Sequence, residues 1–270
     1  MSLVKATRPV SLTRLEGTAA AEMRNDSLAV EEPLEIRVDG QSIAVVMRTP
    51  GHDRELAAGF LVTEGIVRQR EDVLDLVYCR GDGGAPEENI LDVLLAPGVA
   101  VDLARLTRHV FTSSSCGICS KATIEAVRAQ FPPIAVSFAP GRKVLATLPE
   151  KLRGAQEAFE ATGGLHASAL FDSSGALLVL REDVGRHNAL DKVVGHAFFA
   201  EQLPLAGHIL LVSGRVSFEI MQKALVAGIP CVAAISAPTS AAVEFARASG
   251  QALIGFLRGD RMNVYAGTVV

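Results

Sequence analysis

The first half of the chain has a pattern typical of β-structure with one helix, because its apolar positions mostly alternate with polar ones. Asp39-Gly40 separates two such runs, and this dipeptide is typical of a tight hairpin turn. Residues 53–62 instead repeat apolar side chains at helical spacing, with Asp53 as a candidate N-cap. We therefore predict a β-rich, antiparallel N-terminal domain over residues 29–110, preceded by a loose polar arm over residues 1–28. The predicted strands cover residues 34–38, 43–47, 73–78 and 90–95.

The second half alternates helical and strand-like patterns, which is typical of an α/β layer around a largely parallel sheet. We predict a three-layer α/β domain over residues 148–270, joined to the first half by a cysteine loop, a helix and a linker over residues 111–147. The fold class is thus α+β / α/β. The predicted helices cover residues 151–161, 188–200, 218–227 and 240–248. The predicted strands cover residues 166–171, 176–180, 209–212, 229–235, 252–256 and 262–265.

Composition, charge and the placement of apolar stretches argue against several classes of function. The chain has 270 residues, and 49% of them are hydrophobic, so a core can form without disulfides. Its net charge is only −4, with no tryptophan and two tyrosines, which argues against a nucleic-acid surface. The N-terminus shows no apolar signal segment, and the one uncharged stretch of membrane-span length, residues 224–243, contains Pro230 and Pro238. We therefore expect a cytoplasmic protein with no membrane insertion and no nucleic-acid partner.

The main chemical signal is a C-x-x-C pair, Cys116 and Cys119, between a serine run and a helical pattern. Serine N-caps, the positive end of the helix dipole and Lys121 all favour a thiolate, lowering the pKa from about 8.5 for a free cysteine. Sulfur chemistry is the preferred interpretation. Three alternatives stay open: a zinc site built from two such loops in a dimer, a thioredoxin-like redox pair, and an idle surface pair. Cys79 and Cys231 lie in apolar runs and are predicted to be inert core thiols.

Three polar clusters follow predicted strands of the second half, at the strand ends where ligands of open α/β sheets bind. Their arginines and helix-start N–H groups suit phosphate anions, so we favour a binding site over solvated loops with capping residues. His187 lies in the densest cluster and is the better site candidate, whereas His166 is predicted to be a capping or core-edge histidine. The clusters are residues 181–188, 213–217 and 258–261.

Five stretches of the chain form an ordered set of motifs. They are Glu55-Leu-Ala-Ala-Gly-Phe-Leu-Val-Thr-Glu-Gly, Ser115-Cys-Gly-Ile-Cys, Thr162-Gly-Gly-Leu-His, Arg181-Glu-Asp-Val-Gly-Arg-His-Asn-Ala-Leu-Asp-Lys and Ser213-Gly-Arg-Val-Ser-Phe-Glu. The set resembles the FdhD family, the formate dehydrogenase accessory sulfurtransferases, and the fourth stretch is very specific. The resemblance spans most of the chain from about residue 30, and it implies a cytidine-deaminase-like fold for the second half.

The resemblance implies that the chain takes sulfur as a persulfide from a cysteine desulfurase. The sulfur would pass to the molybdenum (or tungsten) bis-guanine-dinucleotide cofactor before that cofactor enters the formate dehydrogenase apoenzyme. Cys116 would then carry the persulfide, and the spacing of Cys119 suggests that it resolves or relays it. The family's cofactor-binding segment corresponds to Phe256, Leu257, Arg258, Gly259, Asp260 and Arg261. We further expect GDP to act as a partial mimic of the cofactor, a homodimer, and no tightly bound protein metal.

Two competing functions follow from the same residues. A zinc deaminase needs His-x-Glu and Pro-Cys-x-x-Cys at helix starts, and the chain has His187-Asn188-Ala189 and Gly214-Arg215-Val216-Ser217 at the corresponding places. The required glutamate and cysteines are missing there, so deaminase activity is disfavoured. A cofactor-binding chaperone without a sulfur step is the other alternative, and replacing Cys116 by alanine separates it from a sulfur carrier.

Overall fold

The chain begins with a short helix and a two-stranded hairpin. The computed structural model describes residues 3–80, 86–99, 132–134 and 138–270. Helix α1 (Leu3–Ala6) leads into strands β1 (Thr7–Arg14) and β2 (Glu22–Ala29), which pair antiparallel. The prediction of a loose arm over residues 1–28 is therefore wrong for residues 7–28. The sequence pattern does not mark this hairpin, because its side chains are exposed or half-buried on both faces.

A four-stranded sheet and the helix that covers it form the N-terminal lobe, residues 32–95. The strands are β3 (Glu32–Val38), β4 (Gln41–Arg48), β5 (Val73–Arg80) and β6 (Pro86–Leu95), in the order β4-β3-β6-β5. The predicted hairpin between β3 and β4 is confirmed, and Asp39 and Gly40 both have positive φ, 47° and 81°, as a type I′ turn requires. The sheet is not purely antiparallel as predicted: β6 inserts beside β3 and runs parallel to it.

Helix α2 (Asp53–Thr63) connects β4 to β5 through a short 3-10 turn at Arg70–Asp72. The helix is confirmed, but Asp53 is not its N-cap, because His52 holds that position with φ of 59°. The carboxylate of Asp53 instead accepts hydrogen bonds from Nε and Nη2 of buried Arg48, both at 3.1 Å. The helix start is thereby tied to the end of β4.

A six-stranded sheet organises the second half, in the order β12-β11-β10-β9-β7-β8. Strands β9, β10 and β11 run parallel, whereas β7 is antiparallel to β8 and β9, and β12 is antiparallel to β11. The sheet is therefore mixed, and the prediction of a largely parallel one is corrected. The β7–β8 and β11–β12 hairpins reverse the direction of the chain at the two sides of the sheet. The spacing of apolar residues does not reveal strand direction. The strands are β7 (His166–Phe171), β8 (Leu177–Asp183), β9 (Ile209–Val212), β10 (Cys231–Ala234), β11 (Ala252–Arg258) and β12 (Arg261–Ala266).

The helices of the second half, within the described residues, are α3 (Arg142–Gly154), α4 (Glu157–Thr162), α5 (Arg186–Phe199), α6 (Phe218–Val226) and α7 (Ser240–Ser249). The last three confirm the predicted helices. The single helix predicted over residues 151–161 is wrong, because α3 starts earlier, inside the predicted linker, and α4 follows as a separate helix. Pro149 lies inside α3, where a buried face of leucines (Leu145, Leu148 and Leu152) stabilises the helix despite the missing N–H group.

The six-stranded sheet is the middle of three layers. Helix α3 covers one face, and helices α5, α6 and α7 cover the other, with alternate strand residues pointing into two hydrophobic clusters. This arrangement confirms the α/β fold class. The cluster beneath α5 continues through α2 into the four-stranded sheet, so both sheets share one core. The likeness to the cytidine-deaminase fold and the domain boundaries stay predictions.

Helices α2 and α5 cross at a pair of glycines that join the two halves. A Cβ on Gly59 would lie 1.8 Å from the carbonyl oxygen of Asp191, and a Cβ on Gly195 would lie 1.8 Å from that of Glu55. Buried polar contacts reinforce the crossing: Nζ of Lys223 lies 2.9 Å from Oδ2 of Asp191, whose Oδ1 accepts a hydrogen bond from Oγ1 of Thr63 at 2.8 Å. Any side chain at either glycine would push the helices apart.

Candidate functional site

The three polar clusters predicted from the sequence meet at one edge of the six-stranded sheet. Strand β8 is antiparallel to β7, which is antiparallel to β9, so β8, β9 and β11 all point the same way. Residues 183–188, 213–217 and 258–261 follow the ends of these strands, and His166 begins the reversed strand β7 at the same edge. We call this the carboxyl edge.

The first cluster is held by Asp183, at the end of β8. Its Oδ2 lies 2.6 Å from Nζ of fully buried Lys192 and accepts a hydrogen bond from the backbone N–H of Thr49 at 3.1 Å. Its Oδ1 accepts hydrogen bonds from the Gly185 N–H at 2.8 Å and from Nδ2 of Asn188 at 2.9 Å. The Asp183 carboxylate thus fixes the turn before helix α5, which begins at Arg186.

Gly214, after β9, lets the first two clusters approach each other closely. A Cβ built on it would lie 3.2 Å from Nδ1 of His166 and 3.7 Å from Cβ of Arg186. Burial lowers the pKa of His166, and the positive charges of Arg186, His187 and Arg215 lower it further. His166 is therefore neutral at physiological pH, in a positive environment.

His187 and Ser217 do not form a hydrolase triad. Nε2 of His187 lies 3.0 Å from Oε2 of Glu219 and 3.4 Å from Oγ of Ser217, so acid and hydroxyl meet the same ring nitrogen. A triad needs them on opposite nitrogens. The hydrogen bond from His187 lowers the pKa of Glu219, and the carboxylate holds the imidazole ring in place beside the edge.

The third cluster is the turn between β11 and β12. Phe256 is 42% exposed and adopts a left-handed conformation with φ of 52°, which is uncommon for a bulky residue, while Leu257 is fully buried. Gly259 also has positive φ, 57°, and forms the tight turn. Arg258, Asp260 and Arg261 are exposed. The turn therefore presents an aromatic ring and charged side chains to solvent.

A cavity of about 700 Å³ opens beside this turn, between helix α3, helix α4 and the carboxyl edge. Its size is in the range of about 300–1,000 Å³ typical of small-molecule sites. Its wall is largely apolar, with polar groups at the sheet edge. His166, Ser213, Arg258 and Gly259 bring residues from the edge into the lining. The other lining residues include Leu152, Arg153, Phe159, Leu165, Ile235 and Leu257.

A model of the FdhD/NarQ family matches residues 29–269. The chain belongs to the FdhD/NarQ family. Proteins named sulfur carrier protein FdhD from Streptomyces coelicolor and Mycobacterium tuberculosis are 52% and 55% identical to it, over 92% and 90% of this chain and 90% of each relative. A crystal structure from Desulfotalea psychrophila, of a protein to which a formate dehydrogenase accessory role is ascribed, matches with a TM-score of 0.77 and 21% identity over 97% of both chains. That likeness shows the fold.

The FdhD/NarQ match includes the C-x-x-C motif, but Cys116 and Cys119 lie outside the described residues. Of the other two cysteines, Cys231 is fully buried, and burial raises the pKa of its thiol, which confirms it as a core cysteine. Cys79 is only half-buried, because it lies near the open end of β5 rather than inside the core. The described part of this family member contains no group of three or more His, Cys, Asp or Glu side chains that could hold a metal ion. No helix in that part is long and apolar enough to span a membrane.

Two features of the carboxyl edge were not predicted from the sequence. His166 was predicted at a helix cap or core edge, whereas the structure puts it in the cavity wall. No role was predicted for Thr49, whose backbone oxygen accepts a hydrogen bond from Nζ of Lys192 at 2.8 Å and whose N–H binds Asp183. The partners are more than a hundred residues apart in the chain.

Proposed function

We propose that this FdhD/NarQ protein is a sulfur carrier that serves formate dehydrogenase, and that it binds a guanine-dinucleotide metal cofactor as substrate at the carboxyl edge. Family membership and the names of its relatives support the sulfur-carrier role. The observation that carries the cofactor part is the cavity of about 700 Å³ beside Arg258 and Gly259. An apolar cavity next to arginines suits a ligand with a planar base and phosphates.

The residues at the edge fit such a substrate. Phe256 offers an exposed ring for stacking, and Asp260 offers a carboxylate that can accept hydrogen bonds from the N–H groups of a guanine. Arg258 and Arg261 pair through their backbones in the β11–β12 ladder, but within the described ranges their guanidinium groups make no hydrogen bond or ion pair and are available to phosphate oxygens. These four side chains all belong to the segment predicted from the sequence.

Sulfur loading is a thiol-exchange step on Cys116. Its thiolate attacks the terminal sulfur of a persulfide on the cysteine desulfurase. A new S–S bond forms to Cys116, the S–S bond of the desulfurase breaks, and the electron pair leaves with the desulfurase thiolate. No net oxidation or reduction occurs in this step, and the terminal sulfur keeps its oxidation state.

Delivery as sulfide requires two electrons, and Cys119 supplies them together with Cys116. The Cys119 thiolate attacks Sγ of the Cys116 persulfide, which forms a Cys116–Cys119 disulfide and releases hydrosulfide. The two thiol sulfurs are oxidised as the transferred sulfur is reduced, so the electrons balance. The hydrosulfide becomes available to the metal of the substrate cofactor. A dithiol reductant then restores both thiols for the next cycle.

Intact-mass spectrometry after incubation with a cysteine desulfurase and cysteine tests the proposal. The wild-type protein should gain the mass of one sulfur on a peptide that contains Cys116, and Cys116→Ala should lose this gain. Cys79→Ala is the matched control, because it removes an accessible thiol outside the motif and should load like wild type. Equal loading of Cys116→Ala and wild type would show that Cys116 is not the carrier.

The same variant separates a sulfur carrier from a chaperone without a sulfur step. A chaperone would still activate formate dehydrogenase when Cys116 is replaced by alanine. A sulfur carrier would not, because no persulfide forms. The readout is formate dehydrogenase activity in cells whose own carrier gene is deleted and replaced by each variant.

A further inference from the structure

The backbone hydrogen bonds of the β1–β2 hairpin determine which of its groups face outward. Within the described residues, neither strand pairs with a third strand. The N–H of Val30 donates to the carbonyl oxygen of Ala6 at 2.9 Å, directly beside the first pair of the ladder, Thr7 with Ala29. Hydrogen-bonded pairs alternate with non-hydrogen-bonded pairs in an antiparallel ladder. The even-numbered residues of both strands therefore bond across the hairpin, and the odd-numbered residues direct their N–H and C=O groups outward.

The outer edge of β2 is open to another strand, whereas that of β1 is interrupted. The N–H of Ser27 donates to Oδ1 of Asp26 at 2.8 Å instead of to β1, as expected for an outward group. On β1, Pro9 takes the outward position opposite Ser27 and has no N–H to donate. Strand β2 contains no proline and no glycine, and residues 22–26 are exposed. The hairpin thus offers one uninterrupted edge.

We propose that β2 pairs antiparallel with β2 of a second copy of this chain, around a two-fold axis at Asn25. Because Asn25 directs its backbone groups outward, the two copies of this residue exchange both N–H···O=C hydrogen bonds. The two hairpins then form one four-stranded sheet. Most of β2 lies before residue 29, where the match to the FdhD/NarQ model begins, so the inference goes beyond the proposed function.

Charge complementarity identifies the partner as a second copy. With the axis at Asn25, Arg24 lies opposite Asp26 of the second copy, and Asp26 lies opposite its Arg24. Both pairs occupy non-hydrogen-bonded positions, where facing side chains come closest. Asp26 has no salt bridge within the described residues, whereas Arg24 lies 2.9 Å from Glu22 of its own chain. The pairing therefore gives Asp26 a cation twice over, once on each side of the axis.

Other alignments of β2 with itself fit less well. An axis one residue away, at Arg24 or Asp26, would place that charge against its own copy, and like charges directly opposite each other are destabilising. An axis two residues away would shorten the paired segment to residues 22–24 or residues 25–29 of the strand. The axis at Asn25 combines opposite charges with nearly the whole length of β2.

Sedimentation equilibrium of the full chain tests the pairing with two proline variants. Asn25→Pro removes the N–H at the axis and should raise the dissociation constant for self-association about tenfold or more. Ser11→Pro is the matched control, because Ser11 lies opposite Asn25 and points its N–H outward on the unused edge. Both variants lose the 3.2 Å hydrogen bond from Oγ of Ser11 to Oδ1 of Asn25, so that loss cancels in the comparison.

Two results would overturn the pairing. One is a wild-type protein that stays monomeric at about 0.1 mM, a concentration that detects even weak association. The other is a folded Asn25→Pro variant that associates as tightly as Ser11→Pro. Loading of Cys116 with sulfur is measured separately by mass, so failure of this inference leaves the proposed function untouched.

A charge exchange keeps the test decisive if Asn25→Pro unfolds the hairpin. Asp26→Arg alone should weaken self-association about fivefold or more, because position 26 then repels Arg24 of the second copy on both sides of the axis. The double variant Arg24→Asp, Asp26→Arg restores opposite charges and should associate within about twofold of wild type. A double variant that associates no better than Asp26→Arg would show that β2 does not pair in this way.

Discussion

At the scale of single residues, the cysteines differ in how accessible their sulfur is. Cys231 is sealed in the core, and its raised pKa keeps it a thiol, so it takes no part in exchange chemistry. Cys79 is half-buried at a strand end. Reactivity measured in the protein can therefore be assigned among Cys79, Cys116 and Cys119, with Cys231 silent.

Cys119 should matter less than Cys116 for activation of formate dehydrogenase. Cys116→Ala removes the proposed carrier thiol and should reduce client activity to background, whereas Cys119→Ala should lower it roughly tenfold, because an external thiol can replace the proposed resolving thiolate. The measurement is formate dehydrogenase activity in a carrier-deficient strain. Cys79→Ala should be indistinguishable from wild type. An equal or larger loss for Cys119→Ala would reverse the ranking.

At the scale of elements, the α2–α5 crossing depends on the absence of two side chains. Gly195→Ala should destabilise the protein by about 3 kcal/mol or more, because the new Cβ overlaps the carbonyl of Glu55 and overpacking of this kind forces the backbone to shift. Gly154→Ala is the matched control, since its Cβ meets nothing within 4 Å and alanine favours a helix. Urea unfolding measures both changes. A fall in stability for Gly195→Ala no larger than for Gly154→Ala would contradict the packing argument.

The elements that sequence patterns predicted well are those whose side chains alternate between core and solvent. Strand β3 and helix α7 are of this kind. Helices α5 and α6 are buried along most of their length and were predicted from apolar-rich stretches of helical length. The β1–β2 hairpin was missed because neither face is buried, and the start of α3 was missed because Pro149 resembles a helix boundary. Strand direction was wrong for β7, since periodicity is the same in either direction.

The candidate site was partly predictable, because its charged residues directly follow predicted strands. Arginines after strands mark a sheet edge, so the three clusters were found before their proximity was known. The cavity was not predictable, because its wall comes from helices α3 and α4, which were merged into one helix. The contact of Thr49 with Lys192 depends on the packing of the two halves, which no local pattern encodes.

At the scale of the whole molecule, Glu55 connects the two halves through charge. It lies on α2 and accepts a hydrogen bond at 2.7 Å from Nη2 of Arg181 on β8, and His52 and His196 lie within 3.2 Å of its carboxylate. Burial alone would raise the pKa of Glu55, but the hydrogen bonds and charges of Arg181 and His52 outweigh it and hold the pKa well below its ordinary value of 4.5. The folded state therefore favours the ionised form.

Glu55→Gln should lower the free energy of unfolding by about 2 kcal/mol at pH 7, the scale of hydrogen bonds to charged groups. A lowered folded-state pKa contributes stability above the ordinary pKa of 4.5 and loses it as pH falls below that value. In urea titrations, the difference in free energy of unfolding between wild type and Glu55→Gln should therefore shrink from about pH 5 to about pH 3, the range in which the unfolded carboxylate takes up a proton. A difference that is the same at pH 7 and pH 3 would show that Glu55 acts by shape alone.

The glycine crossing also limits how this protein can be recombined. The backbones of α2 and α5 touch at these glycines. The fit between the two halves therefore depends on where the helices lie, and single side-chain substitutions cannot restore it. A chimera that takes its first hundred residues from a distant relative would need the same distance between the axes of α2 and α5. A shift smaller than the width of a methyl group would already break the contact. A protein with only one of the two halves exchanged should therefore be less stable than either parent, unless both helices come from the same parent.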